Sequence, residues 1–327
     1  MKSPAPVTTS SPTPTEMHLL DEVRRLSPDG DVGDLFMGEA PEGLRALTPP
    51  GQHAEYEALE VAFRWFAGDG AGGLFGLWLS RDPHPVVWFS SEGGREVVAA
   101  TLEEFLASLA VEWEARPMPG EVTAADARYR DWFARSGLAP CDDPRAALLR
   151  GAALTADLVA WVQRSLSAAR TRRTGEGPMV LVPKVSVGAV VLGEKREAME
   201  ARLRAPKALP WKPEPRVTIV TDEAEGCLVE VSDGSGRVRA VTCCLGPRQV
   251  TLLGHELLAT QEAEALAVLR GLDPDAAAEE GPGGGRTARL VSRRLGLVLT
   301  IDHAHGGDQG WVQGVRANAK GTSRAKG

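Results

Sequence analysis

Residues 74–100 read LFGLWLSRDPHPVVWFSSEGGREVVAA, and this stretch decides the fold of the first half of the chain. Two aromatic and β-branched runs, 74–80 and 85–91, are separated by Arg81, Asp82, Pro83 and His84. A third run, 96–100, follows the turn-forming residues 92–95. Short apolar runs at turn spacing predict three strands in an antiparallel meander. Directly after them, Thr101 with Glu104 three residues on forms a capping box. It opens a helix whose buried stripe is Leu102, Phe105, Leu106 and Leu109. Upstream, Leu59, Ala62, Phe63 and Phe66 recur at i, i+3, i+4 and i+7, which predicts an amphipathic helix over 55–67. A glycine-rich turn, 68–73, joins that helix to the first strand.

Further out, residues 1–15 read as a disordered tail, and 17–26 place Leu19, Leu20, Val23 and Leu26 at helical spacing. Two more helices are predicted, over 124–135 and from the Asp143-Pro144 start. The second carries Leu154, Leu158, Trp161, Val162 and Leu166 on one face. Residues 171–178, TRRTGEGP, are polar and basic and read as a linker. Beyond it strands are predicted over 185–192, 216–221, 227–232, 237–244, 249–253, 287–292 and 295–302, with another around 311–316. Helices fall over 194–204 and 260–270, and Asp233-Gly234 signals a hairpin. No long internal repeat is visible, and 318–327 form a basic tail. The fold class is α+β, with two domains (16–170 and 179–317), each a mainly antiparallel sheet with packed helices.

The chain has 327 residues, 43% hydrophobic and 25% charged, enough for two globular cores. Its apolar runs, such as 185–192, fall far short of the roughly 18 residues of a membrane span. Residues 1–14 lack the apolar core of a signal peptide. Four cysteines, two of them adjacent, make no disulfide framework and fit a reducing cytoplasm. The net charge of -7 divides unevenly: 15 basic and 25 acidic residues over 1–170, against 22 and 19 over 171–327. An acidic first half repels phosphate backbones and suits a basic partner. Without a basic stripe carrying interleaved aromatics, nucleic-acid binding is disfavoured.

Motifs for chemistry are few. Gly68, Gly70 and Gly73 satisfy G-x-G-x-x-G, but a helix is predicted before them and a strand after, the reverse of a dinucleotide site. The glycines at 281 and 283–285 lack the Lys and Ser/Thr of a phosphate loop. His303 and His305, near Asp302 and Asp308, are the most metal-like cluster, although zinc needs three or four ligands and the histidine pair supplies two. Cys243 and Cys244 are neighbours on a strand and face opposite sides, with Cys227 a further buried thiol. No G-x-S-x-G is present, and no cofactor is expected.

Residues 63–109, FRWFAGDGAGGLFGLWLSRDPHPVVWFSSEGGREVVAATLEEFLASL, resemble the SMI1/KNR4 (SUKH) superfamily. The match runs through a helix ending in Phe66-Ala67, a glycine turn, the GLFGLWL strand, PVVWFSSEGG, a VVA strand and the LEEFLASLA helix, and extends over about 19–166. The resemblance implies a non-catalytic α+β domain. Bacterial members are typically immunity proteins that bind and block a partner toxin of a polymorphic toxin system, and eukaryotic relatives are signalling scaffolds. The second half is similar to small domains without known activity that open on an LG…lG.P pattern, with Arg204 where the second glycine is expected. On this reading the chain occludes a basic protein toxin in the cytoplasm. The turn acids Asp69, Asp82 and Glu92 steer the partner, and Trp88 anchors it. The rival readings are a metal-dependent hydrolase around His303, His305 and Asp302, and a signalling scaffold.

Overall fold

A computed structural model describes residues 9–26, 31–32, 35–36, 43–48, 52–69, 71–91, 94–110, 127–204, 206–210, 216–222, 226–245, 248–281, 287–303 and 310–319. They fall into two compact units, the first drawing on residues up to 49 and 56–159, the second on 50–55 and most of the chain from 160 on. Among the described residues no helix is long and apolar enough to cross a membrane.

The first unit opens with helix α1 (Pro14–Leu26), strands β1 (Asp31–Val32) and β2 (Leu35–Phe36), a 3₁₀ turn (Gly43–Leu47) and helix α2 (His53–Glu60). Strands β3 (Phe63–Gly68), β4 (Leu74–Trp78), β5 (Val86–Phe89) and β6 (Arg95–Ala99) follow, then helices α3 (Leu102–Leu109), α4 (Ala127–Ser136) and α5 (Pro144–Thr174), of which the residues from 160 on, like 53–55 of α2, belong to the second unit. The sheet order is β1-β2-β3-β4-β5-β6, each pair antiparallel, so the predicted meander is present and three strands wider. One face carries the core. Leu19, Leu20 and Val23 of α1, Phe105 and Leu106 of α3, and Tyr129 and Trp132 of α4 cover Phe66, Phe75, Leu77, Val86 and Val98 of the sheet. The Thr101 cap forms as predicted: its Oγ1 accepts from Glu104 N at 3.2 Å, and the Glu104 carboxylate accepts from Ala100 N at 3.3 Å.

The helix expected over 55–67 stops at Glu60, and Phe63–Gly68 is a strand. The helical spacing of Leu59, Ala62, Phe63 and Phe66 is real, but the last two point to different clusters. Phe66 meets Phe105 with ring centroids 5.8 Å apart, whereas Phe63 stacks on Trp65 at 5.0 Å and meets Phe89 edge-on at 5.3 Å. A strand with a bulge between Trp65 and Ala67 delivers both rings, and pairing with β4 outweighs the weak local preference. The bare α-carbon of Gly76 admits Trp65: a Cβ there would lie 2.6 Å from the indole.

Helix α5 also corrects an expectation. Residues 171–174 of the predicted linker form its last turn, and Gly175 ends it with φ +73 and N–H donated to Thr171 O at 2.8 Å. A basic last turn followed by glycine is a helix C-terminus signature, and in TRRTG it imitates a linker.

The second unit holds β7 (Met179–Val182), β8 (Ser186–Val187), β9 (Val190–Val191), α6 (Arg196–Glu200), β10 (Pro206–Ala208), β11 (Val217–Asp222), β12 (Cys227–Ser232) and β13 (Arg237–Cys244). It continues with β14 (Val250–Leu252), β15 (His255–Glu256), α7 (Glu262–Leu272), β16 (Ala277–Glu280), β17 (Thr287–Ser292), β18 (Leu297–His303) and β19 (Gly310–Asn318). The run 185–192, expected as one strand, is the hairpin β8–β9, turned at Gly188 with φ +54. An eight-stranded sheet has the order β10-β11-β12-β13-β19-β18-β17-β16, and a five-stranded sheet the order β15-β14-β7-β8-β9.

That order exposes an internal repeat which the sequence hides. A hairpin, a helix and a four-stranded meander occur twice, as β8–β9, α6, β10–β13 and as β14–β15, α7, β16–β19. Equivalent details recur. Meander strands three and four are bulged between Glu230 and Val231 in one copy and between Thr300 and Ile301 in the other. The residue before each helix bridges the last strand, Lys195 with Arg237 and Gln261 with Trp311. At the centre Ala240 faces Asn318 and Cys244 faces Gly314, so a local twofold passes through the Thr242–Arg316 pair. Helix α7 has 11 residues against 5 in α6, and the β18–β19 connection is longer than the β12–β13 turn. The separation between equivalent positions therefore changes along the chain, and no fixed period survives. One hydrophobic core, with Val229, Val231, Cys243, Leu299, Ile301 and Val315 among its members, serves both copies.

Phe63 is 6% exposed in its aromatic cluster. Phe63→Ala should lower unfolding free energy by about 3–5 kcal/mol, measured by urea denaturation of the full chain; an unchanged midpoint would place the ring outside the core.

Candidate functional site

Asp69, expected at the surface, is 6% exposed and committed to its own turn. Its Oδ1 accepts from Ala71 N at 3.0 Å and Gly73 N at 2.6 Å, and its Oδ2 accepts from Trp88 Nε1 at 2.8 Å. A buried carboxylate needs such donors, because leaving it unpaired costs far more than the bonds return. Gly73 makes room for them: a Cβ there would lie 2.5 Å from Asp69 Oδ2 and 2.6 Å from Trp88 Nε1. Asp69 is therefore a structural acid that closes the β3–β4 turn and fixes the indole of Trp88. Trp88 itself is half-buried and packs against the edge of the core. Asp82 is exposed between β4 and β5, at the opposite end of β4 from Asp69. The five residues of β4 put about 16 Å between those turns, so Asp69 and Asp82 do not share one patch. Glu92 lies outside the described residues.

A second carboxylate of this unit, before β3, is also held by fixed donors. Glu60 Oε1 accepts from Trp65 Nε1 at 2.6 Å, and its Oε2 accepts from Leu44 N at 3.0 Å. Burial pushes the Glu60 carboxyl above its ordinary range, and these two donors oppose the shift without cancelling it.

In the second unit two residues of the metal reading, Asp302 and His303, close β18. Asp302 pairs with Trp311 and His303 with Gly310 across β18 and β19. His305 and Asp308 lie outside the described residues. Among the described residues no group of three or more His, Cys, Asp or Glu is placed to hold a metal ion. Cys227 and Cys243 face each other across β12 and β13, both buried, whereas Cys244 is exposed on the other side; all four cysteines are free thiols.

The strongest charge cluster of that unit was not foreseen. Glu55 Oε1 receives Arg170 Nη1 at 3.3 Å and Arg173 Nη2 at 2.6 Å, with the Glu55 and Arg170 side chains 0% and 1% exposed. Arg170 also reaches Glu176 at 3.2 Å, and Arg204 pairs with the same carboxylate. Burial pushes Glu176 up, but the charges of Arg204, Arg170 and Arg248 overcome it and hold the carboxyl below its usual range. Removing either partner would strand a buried charge, so the network is a structural clasp around the C-terminus of α5.

No family model, curated protein or solved structure matches the chain.

What reasoning from the sequence missed most clearly is His84. It reads as a turn residue, yet it is 5% exposed and joins Glu16 and Ser10, residues of the segment expected to be a tail and of the first turn of α1. The legible signal was Thr13 with Glu16 three residues on, a capping box that orders the N-terminal segment: Thr13 N donates to Glu16 Oε2 at 2.6 Å, and Glu16 N donates to Thr13 Oγ1 at 3.1 Å.

The Glu60 shift has a pH consequence. A carboxyl raised in the folded state contributes stability below its unfolded value, and that contribution is lost as pH rises through the folded value. Glu60→Gln removes the titration. The stability of the variant relative to wild type should therefore improve between about pH 4 and pH 7, as read by urea midpoints at each pH; a constant difference would deny the shift.

Proposed function

We propose that this chain is a binding protein of the immunity class, neutralising a protein toxin in the cytoplasm by covering its active surface, with no covalent step. The observation that carries the reading is the continuity of the stretch resembling SMI1/KNR4 domains. From residue 74 to 109 the described residues form β4, β5, β6 and α3 in the order the resemblance implies, although 63–68, expected as the end of a helix, are strand β3. The four free thiols support a reducing compartment.

The geometry changes which residues would do the work. Asp69 acts indirectly by holding Trp88, and the half-exposed indole is a rigid aromatic anchor of the kind that carries binding energy. Steering falls to exposed acids, Asp82 among them, on a half-chain with net charge -10 (15 basic and 25 acidic residues). Complexes of this type bury about 1,600 Å² in total and gain on-rate from complementary charge.

A toxin domain encoded beside this chain is the probe. Expressed alone it should arrest growth, and co-expression of the full chain should restore it. Asp82→Lys should slow association at low salt, with the difference fading as screening shortens to about 8 Å at physiological ionic strength. Trp88→Ala should speed dissociation while circular dichroism stays native. A neighbouring toxin that kills equally with and without this chain, and does not bind it, would defeat the reading.

A further inference from the structure

A cation lies buried in the first unit without a carboxylate to match it. Arg95, the first residue of β6, is 7% exposed, and a guanidinium keeps its charge at any pH a folded protein meets. Among the described residues no acidic side chain pairs with it. The Tyr56 hydroxyl accepts from its Nη2 at 2.6 Å, while its Nη1 is buried with no acceptor. Two ring faces add little. The guanidinium carbon lies 5.9 Å from the centroid of Tyr56 and 6.0 Å from that of Phe89, at the outer limit of about 6 Å for a cation over a ring. Arg170, also buried, shows the contrast, since the carboxylates of Glu55 and Glu176 both meet it.

The same contact leaves a second donor over. Tyr56 is 6% exposed, its oxygen accepts from Arg95, and the hydroxyl's own hydrogen has no acceptor among the described residues. Nη1 and this hydroxyl both neighbour Nη2, one through the guanidinium carbon and the other across a hydrogen bond, so the two unmet donors are close together. Buried polar groups are nearly always satisfied in folded proteins, and a buried charge without a partner is the costliest exception. Such local costs are kept where a site has work to do. What both donors lack is an oxygen carrying negative charge.

We propose that Arg95 and Tyr56 form a binding site for a small organic monocarboxylate with an apolar body, whose carboxylate accepts from Arg95 Nη1 and from the Tyr56 hydroxyl. The charge selects the anion. One guanidinium matches one carboxylate and falls short of a doubly ionised phosphate, and residues 1–170, with 15 basic against 25 acidic side chains, disfavour multiply charged anions further. The planar guanidinium also suits a planar carboxylate. The apolar body follows from the neighbours. Phe89, 3% exposed, lies against Arg95 and is met edge-on by Phe63 at 5.3 Å and by Trp65 at 5.4 Å. A ligand that reaches the guanidinium therefore lies among rings, the usual lining of a small-molecule site. Because Nη1 is covered, entry requires the side chains over it to shift. This site is independent of toxin binding, which rests on Asp82 and Trp88, and it stands or falls separately.

The test titrates the full chain with sodium benzoate by isothermal calorimetry, with benzamide, acetate and inorganic phosphate as comparisons. Benzoate should bind saturably at one site. Benzamide, which has the same ring and no charge, should bind at least about 10-fold more weakly, and acetate, which lacks the ring, should also be weaker. Tyr56→Phe should weaken benzoate by about 10-fold, the range of a hydrogen bond to a charged group. Arg95→Met keeps an apolar stem and removes the charge. It should abolish benzoate binding, and without ligand it should melt at or above the wild-type temperature, because the unmatched charge is gone. Tyr56→Phe leaves that charge in place, so it reads the site independently of how Arg95→Met folds. Folded wild-type protein that shows no saturable binding of benzoate at millimolar concentrations, or binding that survives in Arg95→Met, would overturn the site. Phosphate bound more tightly than benzoate would overturn the choice of ligand. Toxin binding retained in Arg95→Met would leave the immunity reading intact.

Discussion

Backbone N–H and C=O groups along the margin of a sheet have to find partners, and both units are arranged around that requirement. In the first unit β6 is the last strand of the meander, and α5 lies along it: Val97 N donates to Thr155 Oγ1 at 3.0 Å. Gly151 lets the helix come that close, since a Cβ there would lie 2.7 Å from Val97 O. In the second unit two four-stranded meanders each have an open margin, and they cover each other by pairing β13 with β19. The shared core follows from that pairing, because it places the inner faces of both copies side by side.

What could be read from the chain divides by the range of the interaction that decides it. The strands β4, β5 and β6, the Thr101 cap and the hairpin after β12 rest on neighbouring residues, and they are where the sequence places them. The second half of α2 failed because FRWF satisfies a helical spacing while its rings serve two separate clusters, a fact of tertiary packing. The repeat in the second unit was invisible because an extra length of helix in α7 and a longer β18–β19 connection shift the two copies out of phase.

The candidate sites show the same division more sharply. An aspartate in a glycine-rich turn looks alike whether it faces solvent or turns inward, and only the approach of Trp88 from β5 decides that Asp69 is buried. Ser10, Glu16 and His84 are brought together by the docking of α1 and the segment before it beside the β4–β5 connection, which no local pattern announces.

The central position of β13 and β19 bears on the order in which the second unit is built. Within each meander, strands pair with their neighbours across short connections, so the loops to be closed are small and their entropic cost is low. The β13–β19 ladder joins residues such as Thr242 and Arg316 that are far apart along the chain, and contacts of that range form slowly. The middle of the sheet, the part best protected once folding is complete, is thus the part assembled last. Until it closes, each half-sheet carries an unpaired strand that can join the wrong copy, so the hazard for this chain is exchange of meanders between two molecules while both are still being made.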